Sequence, residues 1–381
     1  MPDRYIDSPI IGERIIEARN RLGMSQESFA ALTGFANRQT LQAVEKGNRR
    51  LLASELAHIV EGTGLGFDFF TDPLLWTGSG TFSYRCTSVD GDTLDRFEVI
   101  AGGWVNLWRR CNDFVSSNSK PCPEFSLEYS NSFEEIWDIA ERIRQWFALG
   151  DTPACLLSSK IEIELGIPVL FVDTPEQISG AAFRQQNERL LFVNLRDSPA
   201  RRNYDLAHEL FHVLTWSSQQ PERLDRIDAS DKVMARKQQR FEQFAENFAA
   251  ALLMPRDTML KRWEKAAEMT SPSARAEIIR HIRNEAQVSS QAVLWRLVNL
   301  RLLAPQEKTI IEQDLVKLDK MLPPPEYPKA LPLSQLYLER LADALVKGAV
   351  SVRRAAGILC MEIDDLADAF VAHGMAVPFD I

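Results

Sequence analysis

No apolar run in the 381 residues approaches the roughly 18–20 that a membrane span needs. The longest, around Val169–Val172 and Phe248–Met254, fall far short of it. The N-terminus, Met-Pro-Asp-Arg-Tyr-Ile-Asp, lacks the basic start and apolar stretch of a secretory signal. Cysteine is sparse. Cys86, Cys111, Cys122, Cys155 and Cys360 are scattered, odd in number and never spaced as C-x-x-C, which excludes a cysteine-built zinc site and argues for reduced thiols. A positive excess is missing as well: 44 basic against 53 acidic side chains give a net charge of -9. Such a chain is not made to coat nucleic acid non-specifically, so any DNA contact must come from a local basic patch. There is no internal repeat at a fixed period and no low-complexity tract. These absences leave a globular chain, 45% apolar and 25% charged. It is expected to be soluble and cytoplasmic, with no membrane partner, and is long enough for two or three domains.

Four parts are expected. Residues 1–75 carry apolar positions at helical spacing (Ile11, Ile15, Leu22; Phe29, Ala30; Leu41, Val44; Leu56, Ile59), with Gly23, Gly34 and Gly47 where helices would end. Residues 76–130 are less regular, with weak alternation over Thr81–Arg85 and a polar stretch Ser116–Glu124, and read as a connecting subdomain. Residues 131–320 open with a helix from Phe133 to Leu149. Strand-like runs Val169–Val172, Ala181–Arg184 and Leu190–Asn194 follow, then long helices, which is an α+β pattern. A proline-rich joint (Pro323, Pro324, Pro325, Pro328, Pro332) reads as a linker to a helical segment, 333–381. The chain is therefore expected to be α+β and mostly helical, with a small sheet in its central domain.

Histidine is scarce, yet two of the five lie in His208-Glu209-Leu210-Phe211-His212. Ser198-Pro199 upstream is a helix start, a capping residue followed by proline at the first helical position. On that helix His208 and His212, four residues apart, project from one face and can hold one zinc ion. Glu209 is rotated by about 100° from His208, so it flanks the metal and suits a general base. A second helix, Arg240 to Met254, is stopped by Pro255. It places Glu242 and Glu246 on one face. Glu242 can reach the metal as third ligand, and Glu246 can accept the remaining N–H of a ligand histidine. Alone, the two glutamates would read as solvated carboxylates and the histidines as satisfied side chains of an ordinary helix.

The residues Ala140-Glu141-Arg142-Ile143-Arg144, Gly166-Ile167-Pro168-Val169, Phe192-Val193-Asn194 and Leu206-Ala207-His208-Glu209-Leu210 resemble the ImmA/IrrE-type metallopeptidases. So does the string Glu242, Ala245, Phe248, Ala249, Leu252, Leu253, Met254 and Pro255, which matches the signature E-x-x-A-(N/D)-x-F-A-x-x-L-L-M-P. The resemblance covers about half the chain. It implies a zincin-like fold, zinc held by His208, His212 and Glu242, Glu209 as general base and zinc endopeptidase activity of the gluzincin type. Two positions depart from the pattern. Phe211 replaces a usual glycine, adding bulk that would narrow the substrate cleft, and Glu246 replaces a usual Asn or Asp. Tyr204, one turn before His208, is either a second oxyanion donor or ordinary packing.

The N-terminal part is similar to the XRE, lambda-repressor-like, helix-turn-helix family in Arg19, Arg21-Leu22-Gly23, Ser25-Gln26-Glu27-Ser28-Phe29-Ala30, Gly34, Thr40-Leu41 and Val44 through Arg49. The resemblance implies an all-α DNA-binding domain. Helix three would begin near Asn37 and offer Asn37, Arg38, Gln39 and Gln42 to a major groove, with Arg49 nearby. Gln26 would bond to phosphate or to a neighbour such as Gln39. Residues 1–70 hold eight basic and nine acidic side chains, so a protein-interaction module without DNA stands as the other reading. In the tail, Ser351 through Leu366 resembles a further small helix-turn-helix, or a dimerisation element. The expected partners are an operator in double-stranded DNA, a repressor or antitoxin-like protein substrate, and a second copy of the chain. A transcription factor whose zinc-binding domain senses a ligand or partner without turnover is the alternative.

Overall fold

The computed structural model describes residues 5–6, 10–78, 80–86, 89–113, 122–175, 177–218, 232–267, 271–321 and 330–380. Its first core comes from the helical periodicities before residue 72. These form α1 (Ile11–Arg21), α2 (Gln26–Leu32), α3 (Arg38–Glu45), α4 (Ala53–Thr63) and α5 (Phe67–Thr71). A short antiparallel pair, β1 (Tyr5–Ile6) with β2 (Leu51–Leu52), lies alongside. Ile15, Phe29, Leu41, Ile59 and Phe70 are wholly buried between these helices. Ser25 caps α2 by accepting from the Ser28 N–H, and Asn37 caps α3 by accepting from that of Thr40. Gly34, at φ 77°, makes the left-handed turn between them.

A four-stranded sheet forms the middle of the molecule. Its strands are β3 (Thr81–Cys86), β4 (Val169–Val172), β5 (Ile178–Gln185) and β6 (Glu188–Asn194), in the order β3-β5-β6-β4. β5 is antiparallel to both β3 and β6, and β4 runs parallel to β6. The strand period of two divides the side chains cleanly. Phe82, Ala181, Phe183, Leu190 and Phe192 enter one core, while Ala182, Leu191 and Val193 enter another.

Between β3 and β4 lie α6 (Gly91–Asn112), α7 (Phe133–Trp146) and the single turn α8 (Leu157–Lys160). After β6 come α9 (Pro199–Thr215), α10 (Lys232–Leu253), α11 (Arg256–Ala267), α12 (Pro272–Ala286), α13 (Ser290–Asn299) and α14 (Pro305–Met321). The chain ends in α15 (Gln335–Val346), α16 (Val352–Ile358) and α17 (Ile363–Ala372). Helices α7 and α9–α14 share one core with the Ala182 face of the sheet.

The opposite face corrects the expected boundaries. Residues 76–130 were expected to connect two domains, yet β3 is an edge strand of the central sheet and α6 covers that sheet. The segment 333–381 joins the same layer: Trp108 stacks on Tyr337 at 5.6 Å, and the Tyr337 hydroxyl donates to the Trp104 carbonyl at 2.8 Å. Gly102-Gly103 disguises α6 in the sequence. Gly102 lies against the Trp76 indole, which a Cβ would meet at 1.9 Å, so the weak helix former is required by packing. Residues 116–121 of the polar stretch, and Pro323, Pro324, Pro325 and Pro328 of the joint, lie outside the described residues. Among the described residues, no helix is long and apolar enough to cross a membrane.

Candidate metal centre

Pro199 stands at the first helical position of α9, and the Ser198 hydroxyl accepts from the Arg201 N–H. The apolar side chains Leu206, Leu210, Val213 and Leu214 then hold one face of the helix in the core. That fixes the rotation of α9, so His208 and His212 emerge on a common face. Helix α10 packs along α9 through Phe244, Ala245 and Phe248 and brings Glu242 to the two rings. His208 Nε2 lies 3.1 Å from His212 Nε2 and 3.1 Å from Glu242 Oε2, and His212 Nε2 is 3.6 Å from Glu242 Oε1. Ligand atoms at 2.0–2.1 Å around a tetrahedral zinc would be about 3.3–3.4 Å apart. The three side chains therefore fit a divalent cation without rearrangement, and their ligand atoms all lie within 4.8 Å of one another.

The charge states fit as well. Burial, followed by the positive charge of Arg85, holds His208 neutral by bringing its pKa down to about 3, and burial lowers that of His212. Burial would raise Glu242, but the His212 and His208 rings beside it outweigh this and bring it to about 2. The set offers two neutral imidazoles and one carboxylate.

Glu209 is fully buried beside this group. Its Oε2 accepts from the Ser83 hydroxyl at 3.0 Å, whereas Oε1 has no hydrogen-bond partner among the described residues. Burial, reinforced by the negative charge of Glu242, raises its pKa well above the ordinary carboxylate range. Space for the side chain comes from Gly180 on β5, where a Cβ would lie 3.1 Å from Glu209 Cγ and 3.3 Å from Oε1. Arg85, two residues after Ser83, pairs with buried Asp205 at 2.8 Å and lies over the Tyr204 ring at 5.4 Å. Burial pushes the Asp205 carboxyl up to about 6 despite Arg85 and Arg201.

Two expectations are corrected. Glu246 does not hold a histidine N–H: its side chain is exposed, and His208 Nδ1 is buried with no partner among the described residues. The cause is the antiparallel crossing of α9 and α10. Glu242 meets His208 and His212, so Glu246, one turn later, meets Tyr204, one turn earlier. There the Tyr204 hydroxyl donates to the Glu246 carbonyl at 2.9 Å, a contact that fits the packing reading. Burial raises that hydroxyl's pKa to about 12. Phe211 does not narrow a cleft. It is fully buried behind the rings, 5.5 Å from Phe248 and edge-on to His212 at 5.9 Å.

Ser83, Arg85, Gly180 and Asp205 were not anticipated from the sequence. The alternation over Thr81–Arg85 carried a signal: it puts the polar Ser83 and Arg85 on the side opposite Phe82, an inward face that should otherwise be apolar.

In the N-terminal domain the candidate DNA residues are largely engaged with one another. Gln26 donates to Glu45 at 2.5 Å and accepts from Arg38 at 3.1 Å, rather than meeting Gln39. Arg19 pairs with the same Glu45 at 2.9 Å. Asn37 is spent on the α3 cap, and Arg49 forks onto Glu55 with both contacts at 2.9 Å. Gln39 is exposed and Gln42 half-buried.

A 45-residue stretch is 42% identical to a protein of Deinococcus radiodurans whose name describes a membrane protein insertion efficiency factor. It covers 11% of this chain and 47% of that protein, so the chain spans about half the length of that curated relative. Residues 163–298 match the family model Peptidase_M78, described as an IrrE N-terminal-like domain. That range takes in β4–β6, α9 and α10, and with them His208, Glu209, His212 and Glu242. Over residues 163–298, then, the chain is similar to a metallopeptidase family, and it is this part that holds the candidate metal group.

Proposed function

We propose that the protein is a zinc-dependent endopeptidase joined to a DNA-binding helix-turn-helix domain. The observation that carries the first half is the convergence of His208, His212 and Glu242 beside a buried glutamate with one unpartnered oxygen. These three residues would hold the ion, which when bound would polarise a water molecule and the carbonyl of the bond to be cut. Glu209 takes the water's proton at Oε1 and passes it to the departing amine, as a general base and then a general acid. Ser83 holds Oε2, so the free oxygen faces the reacting atoms in one orientation. Gly180 leaves that side chain its place, and Arg85 adds a fixed positive charge to the site.

The resemblance to ImmA/IrrE-type enzymes makes a repressor or antitoxin-like protein the substrate, cut during a stress, phage or mobile-element response in the cytoplasm. The DNA half is supported by the α2–turn–α3 arrangement, the exposure of Arg38 and Gln39, and the Arg19–Glu45–Gln26–Arg38 chain that fixes α2 against α3. A homodimer would present two such units to a palindromic operator.

The test compares zinc-loaded wild type with Glu209→Gln on a peptide library prepared from a bacterial proteome. Zinc content should be equal in both, and new peptide termini should arise only with the wild type. Equal cutting by Glu209→Gln would refute the assigned base. If neither protein cuts and regulation in the cell is unchanged by Glu209→Gln, the domain is a metal-containing sensor and not an enzyme.

A further inference from the structure

A cavity of about 660 Å³ opens beside the candidate metal group, between the first half of α9, the C-terminal half of α10, and α13. It is lined by Arg85, Arg201, Tyr204, Asp205, Trp295 and Arg296, also by the exposed Glu246, and by none of His208, Glu209, His212 or Glu242. Three arginines, Arg85, Arg201 and Arg296, and two carboxylates, Asp205 and Glu246, are among its lining, and Arg201 also pairs with Asp197 at 3.5 Å. Asp205 is the counter-charge of both Arg85, at 2.8 Å, and Arg201, at 3.7 Å. Arg296 has no carboxylate partner among the described residues, although it is only 2% exposed. Its Nε donates to the Met254 carbonyl at 3.0 Å and its guanidinium lies over the Trp137 ring at 5.0 Å, but Nη1 is buried with no acceptor. Arg85 Nη1 is in the same state. A buried guanidinium without an anion is costly to keep, and a site lined with unmet Arg donors matches the planar fork of a carboxylate. Trp295, 54% exposed, adds an apolar wall.

Position decides what brings the carboxylate. Tyr204 and Asp205 precede His208 by four and three residues, about 4.5–6 Å along the helix. An extended peptide advances about 3.3 Å per residue. We propose that this cavity is a specificity subsite for an acidic side chain of the peptide substrate, about two residues from the bond that is cut. Its carboxylate is received by Arg296 and Arg85, and its methylenes lie on Trp295. The proposal rests on the endopeptidase reading and names the substrate class that reading leaves open.

The test separates binding from turnover. Zinc-loaded Glu209→Gln protein is equilibrated with two random hexapeptide-amide pools, one containing Asp and Glu and the other Asn and Gln in their place. Retention of the acidic pool should exceed that of the amide pool by about tenfold or more, as expected for a charge-assisted pair. Arg296→Met should abolish the preference, and Arg296→Lys should restore part of it. If Arg296→Met does not fold, Trp295→Ala should weaken retention of the acidic pool several-fold. In the wild-type cleavage profile an acidic residue should recur at one fixed distance from the cut. Equal retention of both pools, a preference that survives loss of Arg296, or retention of the acidic pool unchanged in Trp295→Ala overturns the subsite. Arg296-dependent retention of the acidic pool by a protein that cuts nothing supports the pocket and overturns the peptidase reading.

Discussion

Gly180→Ala probes the candidate active site without touching a metal ligand. Gly180 has no positive φ, so alanine meets no backbone strain there. The difficulty is space: the new Cβ would sit 3.1 Å from Glu209 Cγ, 3.3 Å from Oε1 and 3.4 Å from the Phe192 carbonyl. Ordinary contacts between carbon atoms begin near about 3.5–4.0 Å, so Glu209 would have to withdraw by roughly 0.5 Å. It is fully buried and tied to Ser83 at 3.0 Å, so it withdraws by breaking that bond or by turning Oε1 out of line. Misplacing a reacting group on this scale costs about 10–100-fold in rate, or about 1.4–2.7 kcal/mol of barrier. Overpacking would lower the unfolding free energy by about 1–3 kcal/mol. The assay follows the peptide that the wild type cuts fastest. Gly180→Ala should lower kcat by that factor with KM and zinc content unchanged, and urea unfolding should show a folded protein. A zinc-loaded variant that turns over at the wild-type rate would refute the argument that Glu209 is held in one working position by a glycine.

Three further outcomes are expected. Asp205 has a folded pKa of about 6 against an ordinary 3.8, so the folded state holds its proton more tightly than the unfolded chain. Its contribution is therefore full below about pH 4 and declines by about 3 kcal/mol as the pH rises through 6. Urea titrations from pH 4 to 7 should show this decline in the wild type and not in Asp205→Asn, and parallel curves would contradict it. Phe211→Ala should destabilise by about 3–5 kcal/mol, read from the unfolding midpoint, without raising the cleavage rate, because the ring fills core and not cleft; a faster enzyme of unchanged stability would show the opposite. Binding of the chain to its own promoter DNA, followed by gel shift, should weaken with salt and be lost in Arg38→Ala; a shift that survives the substitution would remove Arg38 from the interface.

The histidine pair of the candidate metal group was legible in the sequence because its constraints are local. Two histidines four apart share a helix face wherever that helix packs, and Ser198-Pro199 fixes where the helix begins. Glu242 was harder, since reaching the rings requires α10 to cross α9 at one register. The same crossing misled the assignment of Glu246: its place on the Glu242 face is a property of one helix, but its partner is decided by two. Antiparallel packing sends each further turn of α10 to an earlier turn of α9, so Glu246 faces Tyr204 and not a histidine. Phe211 was misjudged for a related reason. A residue beside a metal ligand in sequence is rotated by about 100° from it, and here that rotation points into the core. The parts of the site least visible came from farthest away. Ser83, Arg85 and Gly180 lie on strands whose pairing unites residues about 95 positions apart, and only that pairing puts a serine and a glycine against one glutamate. An inward-facing Ser83 and Arg85 on an edge strand gave the one hint: polar side chains on the face that should pack against a helix have to be met there by a polar partner. In this molecule Glu209 meets Ser83 and Asp205 meets Arg85, so the strand that reads as a connector in sequence becomes one wall of the candidate active site.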